Sequence, residues 1–366
     1  MDLIKEQPTV WQALQETKKP IVLYGMGDGA EKILRVFAQK GIQASDIFAS
    51  DEFVRGHTFA GFRVKRLAEI VELYKDFIIV VCFAVHDDVM LKRLYDLDSQ
   101  YELYAPDVPV AGEGVFDDSY YSAHEDKFCK AYELLQDDYS RQVFANIIKF
   151  KLSGKIGYLK ACTTPKSQAY HQIIKPHQNE HYVDLGAYDG DTIREVLSYT
   201  DGRFARITAF EPDAKNYRKL KAKLEQNLSR QDLKKVFCYN LLAHKERNTL
   251  YFASRAGRNS SLSNKNTTRT ISMEADSVDN VLRGCDIPAT IIKLDVEGAE
   301  HDALLGCAIT IKQHGPRLIV SAYHRNEDLF DLPLLIKQLN PAYKLYLRRH
   351  PYIPAWDINL YATTEI

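Results

Sequence analysis

The feature that most constrains this chain is a short apolar strand, Tyr182–Leu185, that leads into a glycine-bearing turn and then a helix from Thr192. Gly186 and Gly190 lie in the turn, and glycine tolerates the positive φ angles that let a backbone approach a ligand closely. The helix that follows presents free N–H groups at its first turn. The pattern predicts a strand–turn–helix unit that binds a nucleoside-type ligand; the alternative is a purely structural turn of a doubly wound sheet.

A second apolar run, Arg206–Phe210, ends in Glu211, about 20 residues beyond the glycine turn, where nucleotide-binding βαβ units hold a ribose. No Gly-Lys-Ser/Thr sequence closes the turn, which excludes a Walker A phosphate loop. Asp184 and Asp189 place negative charge where a pyrophosphate would lie. The turn therefore suits a ligand with a cationic end and a diol, and S-adenosylmethionine has both.

Another buried run, Thr290–Leu294, leads into the acidic residues Asp295, Glu297 and Glu300. The carboxyl ends of parallel strands line the ligand crevice of an open sheet. We therefore expect Asp295 and Glu297 to lie near the glycine turn. Glu300 either lies there as well or, as we expect, caps or charges the first turn of the following helix.

These segments resemble the FkbM-type S-adenosylmethionine-dependent methyltransferases at Val183–Thr192, Phe210–Asp213 and above all Lys293–Glu300. The resemblance continues to the end of the chain and covers roughly residues 140–366. It implies a seven-stranded Rossmann-like methyltransferase sheet, S-adenosylmethionine as cofactor, and acceptor hydroxyls on sugars, glycans or polyketide-like products.

The cofactor-binding residues predicted on this basis are Asp184, Gly186, Ala187, Gly190, Glu211, Asn240 and Asp295. Glu211 would accept both ribose hydroxyls, Asp184 would hold the ammonium side through backbone or water, and Asn240 would face adenine. The predicted catalytic residues are Asp295, Glu297 and His324, with His324 as general base because its unperturbed pKa is ~6.5. The same three residues are candidate ligands of a divalent metal that would acidify the acceptor hydroxyl.

The N-terminal part of the chain predicts a second, smaller α/β unit. A strand, Ile21–Tyr24, is followed by Gly25, Gly27 and Ala30, and Asp51 follows the next strand, which fits the dinucleotide-binding pattern. We expect either a nucleotide or nucleotide-sugar site here or a turn of this fold without a ligand. The unit also resembles the N-terminal α/β domains of bacterial sugar-modifying enzymes, over residues 56–64.

We therefore predict an α/β protein with a Rossmann-like domain at 1–105, a linker and bridging helices at 106–160, and a methyltransferase domain at 161–366. A helical stretch is expected over 124–152, and the polar segment 256–261 is expected to be an exposed loop or a substrate lid. The last two strands of the C-terminal sheet are expected to form an antiparallel hairpin. The predicted strands of that sheet are Tyr182–Leu185, Arg206–Phe210, Val236–Leu241, Thr290–Leu294, Arg317–Ser321, Tyr343–Leu347 and Asn359–Ala362.

The balance of charges argues against a nucleic-acid partner, because 48 Lys and Arg residues face 49 Asp and Glu residues. The longest apolar run, Phe77–Val85, is too short to span a membrane. The six cysteines show no Cys-x-x-Cys pairing and the N-terminus has no signal-peptide core, so we expect a cytoplasmic protein. The sequence does not determine the oligomeric state.

Together these patterns predict an S-adenosylmethionine-dependent methyltransferase, and the resemblance alone implies that it is an O-methyltransferase that acts on a sugar or glycan hydroxyl. One alternative is a nicotinamide-dependent sugar-modifying enzyme centred on the N-terminal unit, which has no visible Tyr-x-x-x-Lys pair. A second alternative is a cofactor-binding scaffold without catalysis. The expected partner is a small-molecule or glycan acceptor.

Overall fold

The computed structural model describes residues 8–253 and 270–364. Two α/β units, each built on a largely parallel sheet, are joined by a layer of helices. This confirms the fold class predicted from the sequence. The segment 256–261, predicted to be a loop or a lid, lies outside the described residues. Within the described part of the chain, no helix is both long enough and apolar enough to cross a bilayer.

The N-terminal unit has a four-stranded sheet in the order β2-β1-β5-β6, with parallel pairing throughout. Its two central strands are buried on both faces, as their uninterrupted apolar sequences require. Its helices and strands are α1 (Val10–Glu16), β1 (Ile21–Tyr24), α2 (Asp28–Lys40), β2 (Asp46–Phe48), the hairpin β3 (Thr58–Phe59) and β4 (Phe62–Arg63), α3 (Leu67–Leu73), β5 (Ile78–Val81), α4 (Asp88–Asp98) and β6 (Glu102–Tyr104).

The connecting helices are α5 (Asp118–Leu134), α6 (Asp138–Ser153), α7 (Gly157–Lys160) and α8 (Lys166–Ala169), followed by a π-helical turn at Tyr170–Ile174. The sequence predicted one helical stretch over 124–152, and the structure divides it into α5 and α6. Asp137 is the reason, because its side chain accepts a hydrogen bond from Ser140 N at 2.7 Å and so starts a new helix. Gln136 N donates instead to the Leu345 carbonyl at 2.8 Å, which ties the break to the C-terminal sheet.

The C-terminal unit contains a seven-stranded sheet in the order β15-β16-β14-β13-β7-β8-β9. Its elements are β7 (His181–Leu185), α9 (Asp191–Tyr199), β8 (Arg206–Phe210), α10 (Ala214–Asn227), α11 (Arg230–Leu233), β9 (Val236–Tyr239), β10 (Leu242–Ala243), β11 (Asn248–Ala253), β12 (Thr270–Asp276), α12 (Val278–Val281), β13 (Ile291–Leu294), α13 (Glu300–Leu305), α14 (Ala308–His314), β14 (Arg317–Ser321), α15 (Asp328–Leu339), β15 (Lys344–Arg349) and β16 (Ile358–Thr363).

Strand β16 runs antiparallel to both of its neighbours, which confirms the predicted edge hairpin. The predicted strand Val236–Leu241 is shorter in the structure, because β9 ends at Tyr239 and β10 joins a separate small sheet with β11 and β12. Strand β7 lies between β13 and β8, so the strand order reverses next to β7. Ligands of open α/β sheets bind at such a switch point, outside the carboxyl ends of the strands.

The carboxyl-end loops of the two sheets contact each other. Val85, after β5, and Ile353, between β15 and β16, exchange backbone hydrogen bonds of 2.8 and 2.9 Å. The linker after β6 reaches the same region, where Ala111 N donates to the His324 carbonyl at 2.8 Å. The loops at the carboxyl ends of both sheets therefore meet in one region of the molecule.

Candidate active site

A buried ion pair crosses the switch point of the C-terminal sheet. Lys293 of β13 and Asp184 of β7 are register partners, and Lys293 Nζ lies 3.4 Å from Asp184 Oδ1. Thr192 donates to the other Asp184 oxygen at 2.5 Å, and Lys293 donates to the Gly186 carbonyl at 3.2 Å. Burial raises the pKa of Asp184, and the charge of Lys293 opposes that shift. The side chain of Asp184 is thus directed at protein groups, so it would reach a cofactor only indirectly.

The glycine turn is held against the neighbouring strand tips. Gly186 N and Ala187 N both donate to the Phe210 carbonyl, at 3.0 and 2.9 Å. Gly186 has a φ of +81°, and a Cβ there would lie 1.9 Å from the backbone oxygen of Asp295. Gly190, with a φ of +83°, immediately precedes α9. Glycine is therefore required at 186 by the close approach of two loops as well as by the backbone angle.

Glu211 follows β8 and is 5% exposed. Its two carboxylate oxygens accept hydrogen bonds from Tyr188 N at 2.8 Å and Asp213 N at 2.9 Å. Burial raises the pKa of Glu211 to about 7, against the opposing effect of these two backbone donors. Each oxygen retains a second lone pair for a ligand hydroxyl. Asn240 donates its side-chain amide to the Glu211 carbonyl at 2.8 Å and so anchors the loop that carries Glu211.

The acidic turn after β13 surrounds a buried histidine. His324 is 1% exposed, and its Nδ1 lies 2.9 Å from Glu300 Oε1. Its Nε2 lies 3.5 Å from an Asp295 oxygen and 3.6 Å from a Glu297 oxygen. Burial lowers the pKa of His324, but Glu300 and then Asp295 and Glu297 raise it more strongly, to about 10. These contacts favour the imidazolium form of the ring, with Glu300 as its nearest partner and Asp295 and Glu297 at ion-pair distance.

The pKa values of Asp295 and Glu297, the two residues beside the His324 ring, shift in opposite directions. Burial would raise the pKa of Asp295, but the positive charges of Lys293 and His324 lower it below its usual value. Tyr323 also donates its hydroxyl to Asp295 at 3.4 Å. Glu297 has a φ of +54° and a side chain that is 47% exposed. Its partial burial and the neighbouring carboxylates raise its pKa to about 7.

One oxygen or nitrogen from each of Asp295, Glu300 and His324 lies within 4.8 Å of the others. Two carboxylates and an imidazole suit a hard divalent ion, and the second oxygen of Glu300 is buried without a hydrogen-bond partner among the described residues. The donor set therefore fits a metal, with Glu300 joining the predicted candidates Asp295 and His324 in place of the predicted candidate Glu297. Ligation would require His324 to lose the proton that the three carboxylates now stabilise.

The family model for the methyltransferase FkbM domain matches residues 184–352, which include the glycine turn, Glu211 and the acidic turn. Residues 184–352 belong to the FkbM methyltransferase family. Among curated proteins, none matches the chain.

Solved structures extend the similarity beyond the FkbM domain. The crystal structure of a methyltransferase FkbM from Methylobacillus flagellatus aligns over 96% of this chain and 92% of that one, with a TM-score of 0.74 and 22% sequence identity. An rRNA methylase from Streptococcus thermophilus covers 55% of this chain and 96% of its own, with a TM-score of 0.36 and 11% identity. The first likeness shows a shared fold that includes the N-terminal unit; the second is too distant to support an argument.

The predicted N-terminal nucleotide site differs from the site in the FkbM domain in the packing around its glycine turn and in the exposure of its acidic residue. Gly25 has a φ of +108°, and a Cβ there would lie 2.6 Å from a ring atom of Phe83. Gly27 has a φ of +133°, and a Cβ there would meet nothing within 4 Å. Ala30 is fully buried in α2, and Asp51 is exposed in a short 3-10 turn after β2. Gly25 is thus packed beneath an aromatic ring while Gly27 faces open space, and ligand binding at this turn stays a prediction.

From the sequence, Lys293 had no predicted site role, and for Glu300 the role of a helix cap was preferred to a place at the site. The signal for Lys293 was present, because a lysine within an otherwise apolar buried strand needs a charged partner. Glu300 does satisfy backbone groups, since it accepts from Val296 N at 2.9 Å, but it is also the nearest carboxylate to His324. That second contact joins two distant segments, so nothing local in the sequence indicates it.

Proposed function

We propose that the chain is an S-adenosylmethionine-dependent O-methyltransferase that acts on a sugar or glycan hydroxyl. The observation that carries the proposal is Glu211, a buried carboxylate beside the glycine turn that keeps one lone pair on each oxygen for a diol. When bound, S-adenosylmethionine supplies an electrophilic methyl group on a sulfonium centre. Glu211 would accept the ribose hydroxyls, and the turn from Gly186 to Gly190 would bring backbone close to the methionine end.

The acceptor hydroxyl would lie at the acidic turn after β13. Glu297 is suited to take its proton, because its carboxylate is accessible and its pKa of about 7 matches neutral conditions. Asp295 would orient the same hydroxyl, in hydrogen-bond reach of Tyr323. His324 was predicted to be the general base, and that role stays a prediction. Its contacts with three carboxylates instead favour a positioning role, in which the imidazolium holds Asp295 and Glu297 in place.

The metal version of the site remains a second candidate mechanism, supported by the convergence of Asp295, Glu300 and His324. These residues would hold a divalent ion, and the ion would acidify the acceptor hydroxyl. Chelator treatment separates the two versions. If turnover disappears with EDTA and returns with Mg²⁺ or Mn²⁺, the result supports the metal-assisted mechanism. If turnover is insensitive to EDTA, the result supports the mechanism in which Glu297 takes the proton without a metal.

Calorimetric titration of the purified chain with S-adenosylmethionine and, separately, with NAD tests the proposal. We expect S-adenosylmethionine to bind and NAD not to compete with it. Tight binding of NAD alone, with oxidation or epimerisation of a sugar, would support the nicotinamide-dependent alternative. Binding of S-adenosylmethionine without transfer to any hydroxyl in a sugar acceptor screen would support the non-catalytic scaffold.

The catalytic assignments need a separate measurement. We expect Asp295→Asn and His324→Ala each to lower turnover by about 10²-fold, the loss that misplacing a reacting group can cause, while the affinity for S-adenosylmethionine changes much less. Steady-state kinetics with calorimetry on the same preparations gives both numbers. Full activity in both variants would show that the acceptor does not react at this turn.

A further inference from the structure

Four partly exposed rings follow one another away from Asp295, and we call them the aromatic strip: Tyr323, Trp356, Tyr352 and His86. Tyr323 donates to Asp295 and stacks on Trp356 with ring centroids 6.4 Å apart. Trp356 lies 5.6 Å from Tyr352, and Tyr352 stacks on His86 at 5.3 Å. The strip therefore links a predicted catalytic carboxylate to the N-terminal unit through three successive ring contacts.

The strip is assembled from loops at the carboxyl ends of both sheets. Tyr323 follows β14, Tyr352 and Trp356 lie between β15 and β16, and His86 follows β5. The paired backbones of Val85 and Ile353 fix the last two loops against each other. Its path from one unit to the other is thus set by main-chain hydrogen bonds as well as by ring packing.

Core packing alone does not account for these four rings. Aromatic side chains that only fill the core are sealed from water, as Phe128 and Trp11 are at 0% and 1% exposure. Tyr323, Tyr352 and Trp356 are only partly buried, and His86 is exposed. A contiguous row of partly exposed rings that begins at a catalytic centre is typical of a surface that binds the apolar faces of a ligand.

Charges at the two ends of the strip restrict the ligand further. Asp295 and Glu297 lie at the catalytic end, and Asp87 and Asp88 follow His86 at the other end, both exposed. Carboxylates at both ends accept hydrogen bonds from hydroxyls and repel phosphate or carboxylate groups. A ligand with apolar ring faces, many hydroxyls and no negative charge satisfies both the rings and the carboxylates.

We propose that the aromatic strip is the acceptor subsite and that it takes a neutral carbohydrate of more than one ring. The hydroxyl to be methylated lies at Asp295 and Glu297, and the rings beyond it stack along Trp356, Tyr352 and His86. The identity of the strip as an acceptor subsite rests on the proposed methyltransferase function, but binding of the sugar to the strip does not require methyl transfer.

The two tryptophans of the chain allow a direct binding test, because Trp11 is buried and Trp356 lies in the strip. The full-length protein, without S-adenosylmethionine, is titrated with neutral malto-, cello-, manno- and chito-oligosaccharides of one to four rings while tryptophan emission is recorded. We expect at least one series to change the emission, with affinity rising about tenfold or more from one ring to three. Trp11→Phe keeps this response, and Trp356→Phe loses it.

Tyr352→Ala and His86→Ala provide the positional test. Each should weaken binding of the three-ring sugar at least tenfold more than binding of the one-ring sugar, because they remove the distal part of the strip. Calorimetry with the same sugars measures this without relying on the fluorescence signal. Phe237→Ala is the matched control, since Phe237 is 36% exposed on β9 at the other edge of the sheet and should leave sugar binding unchanged.

The proposal is overturned if no neutral series changes the emission or gives heat, or if acidic sugars or planar aromatic compounds bind more tightly than every neutral sugar. It is also overturned if Tyr352→Ala and His86→Ala bind the three-ring sugar as the unchanged protein does. The proposed function fails separately, when sugars bind the strip but S-adenosylmethionine does not bind or no methyl group is transferred.

Discussion

In both α/β units a glycine turn follows the first strand and an acidic residue follows the second, yet the two acids have different surroundings. Asp51 of the N-terminal unit is exposed at the start of a 3-10 turn. Glu211 of the FkbM domain is buried and accepts two backbone hydrogen bonds from the loops on either side of it. The same sequence pattern thus gives a solvated charge in one unit and a preorganised acceptor in the other.

The regions around the first strands differ in the same way. In the N-terminal unit, Tyr24 at the end of β1 stacks on Phe48 at 4.4 Å, and Phe83 covers Gly25. In the FkbM domain the corresponding region holds the buried pair of Asp184 and Lys293. Burying charge is costly, and a fold keeps it where it has a use or a strict positional role. Buried charges at neighbouring strand tips, more than a glycine turn, therefore distinguish the candidate active site from its structural counterpart.

Replacement of Lys293 by methionine should produce the largest effect. It leaves the buried Asp184 carboxylate without its cation, which typically costs about 3–5 kcal/mol of unfolding free energy. Urea unfolding followed by circular dichroism measures the loss. Lys65→Met is the matched variant in the N-terminal unit, where Lys65 pairs with Asp46 at 2.6 Å but is itself 21% exposed. We expect a smaller loss there, and equal losses would remove the distinction between the two units.

A double variant distinguishes the effect of an unpaired buried charge from the effect of altered packing at Asp184 and Lys293. Asp184→Asn together with Lys293→Met removes both charges, so it should recover part of the stability that Lys293→Met loses alone. If the double variant is as unstable as the sum of the two single variants, the pair does not interact as a pair, and the argument from buried charge fails.

Much of the fold could be predicted from the sequence, because buried parallel strands are nearly continuous apolar runs. The predicted strands Arg206–Phe210 and Arg317–Ser321 coincide with β8 and β14, and β7 and β13 differ from prediction by one residue at one end. The strand β6 was not predicted, because its three residues, Glu102–Tyr104, include only one aliphatic side chain. The cap that divides 124–152, Asp137, is local, but the contact that ties the break to the C-terminal sheet joins Gln136 to Leu345, 209 residues away in sequence.

The site could be predicted only in part, for a related reason. Strand order brings tip residues to one edge, so the proximity of Asp295, Glu297 and His324 was correctly expected. Packing between segments that are distant in sequence decides which of these side chains contact each other. The imidazolium character of His324 depends on Glu300, and the cover over Gly25 depends on Phe83, and neither contact has a local signature.

The two acidic residues after the second strands offer the most direct comparison of ligand binding. We expect Glu211→Ala to weaken S-adenosylmethionine binding by about 2–3 kcal/mol, or roughly 30–150-fold, because two charge-assisted hydrogen bonds are lost. Asp51→Ala, the matched change in the N-terminal unit, should leave that affinity unchanged. Calorimetry measures the affinity of both variants for S-adenosylmethionine. If the affinity of Glu211→Ala is unchanged, Glu211 does not bind the ribose.

The pKa of Glu211 predicts a smaller, pH-dependent effect. Because burial raises this pKa to about 7, the carboxylate becomes protonated as the pH falls through neutrality and loses acceptor capacity for the ribose diol. Affinity for S-adenosylmethionine should therefore fall on going from pH 8 to pH 6, by up to about tenfold, or 1.4 kcal/mol. Calorimetric titrations with S-adenosylmethionine between pH 6 and pH 8 test whether the affinity changes in this direction. Glu211→Gln should bind weakly with little pH dependence; a slope equal to that of the unchanged protein would assign the titration to another group.

The smallest expected effect on methyl transfer comes from the glycine turn of the N-terminal unit. Gly27→Val places a side chain in open space, so its cost is the backbone strain of a φ of +133°, about 1–3 kcal/mol, borne by the N-terminal unit. Any binding of NAD or a nucleotide-sugar to that turn should be lost, while methyl transfer to a small acceptor should stay within about twofold.

Gly186→Ala is the corresponding change in the FkbM domain, and it should abolish methyl transfer. Its Cβ would lie 1.9 Å from the Asp295 carbonyl oxygen, so the turn and the end of β13 cannot keep their present contact. Both variants are assayed with the same small acceptor and checked for folding by circular dichroism. If folded Gly27→Val loses transfer as completely as Gly186→Ala, the N-terminal turn takes part in the reaction, and the two units form one catalytic site.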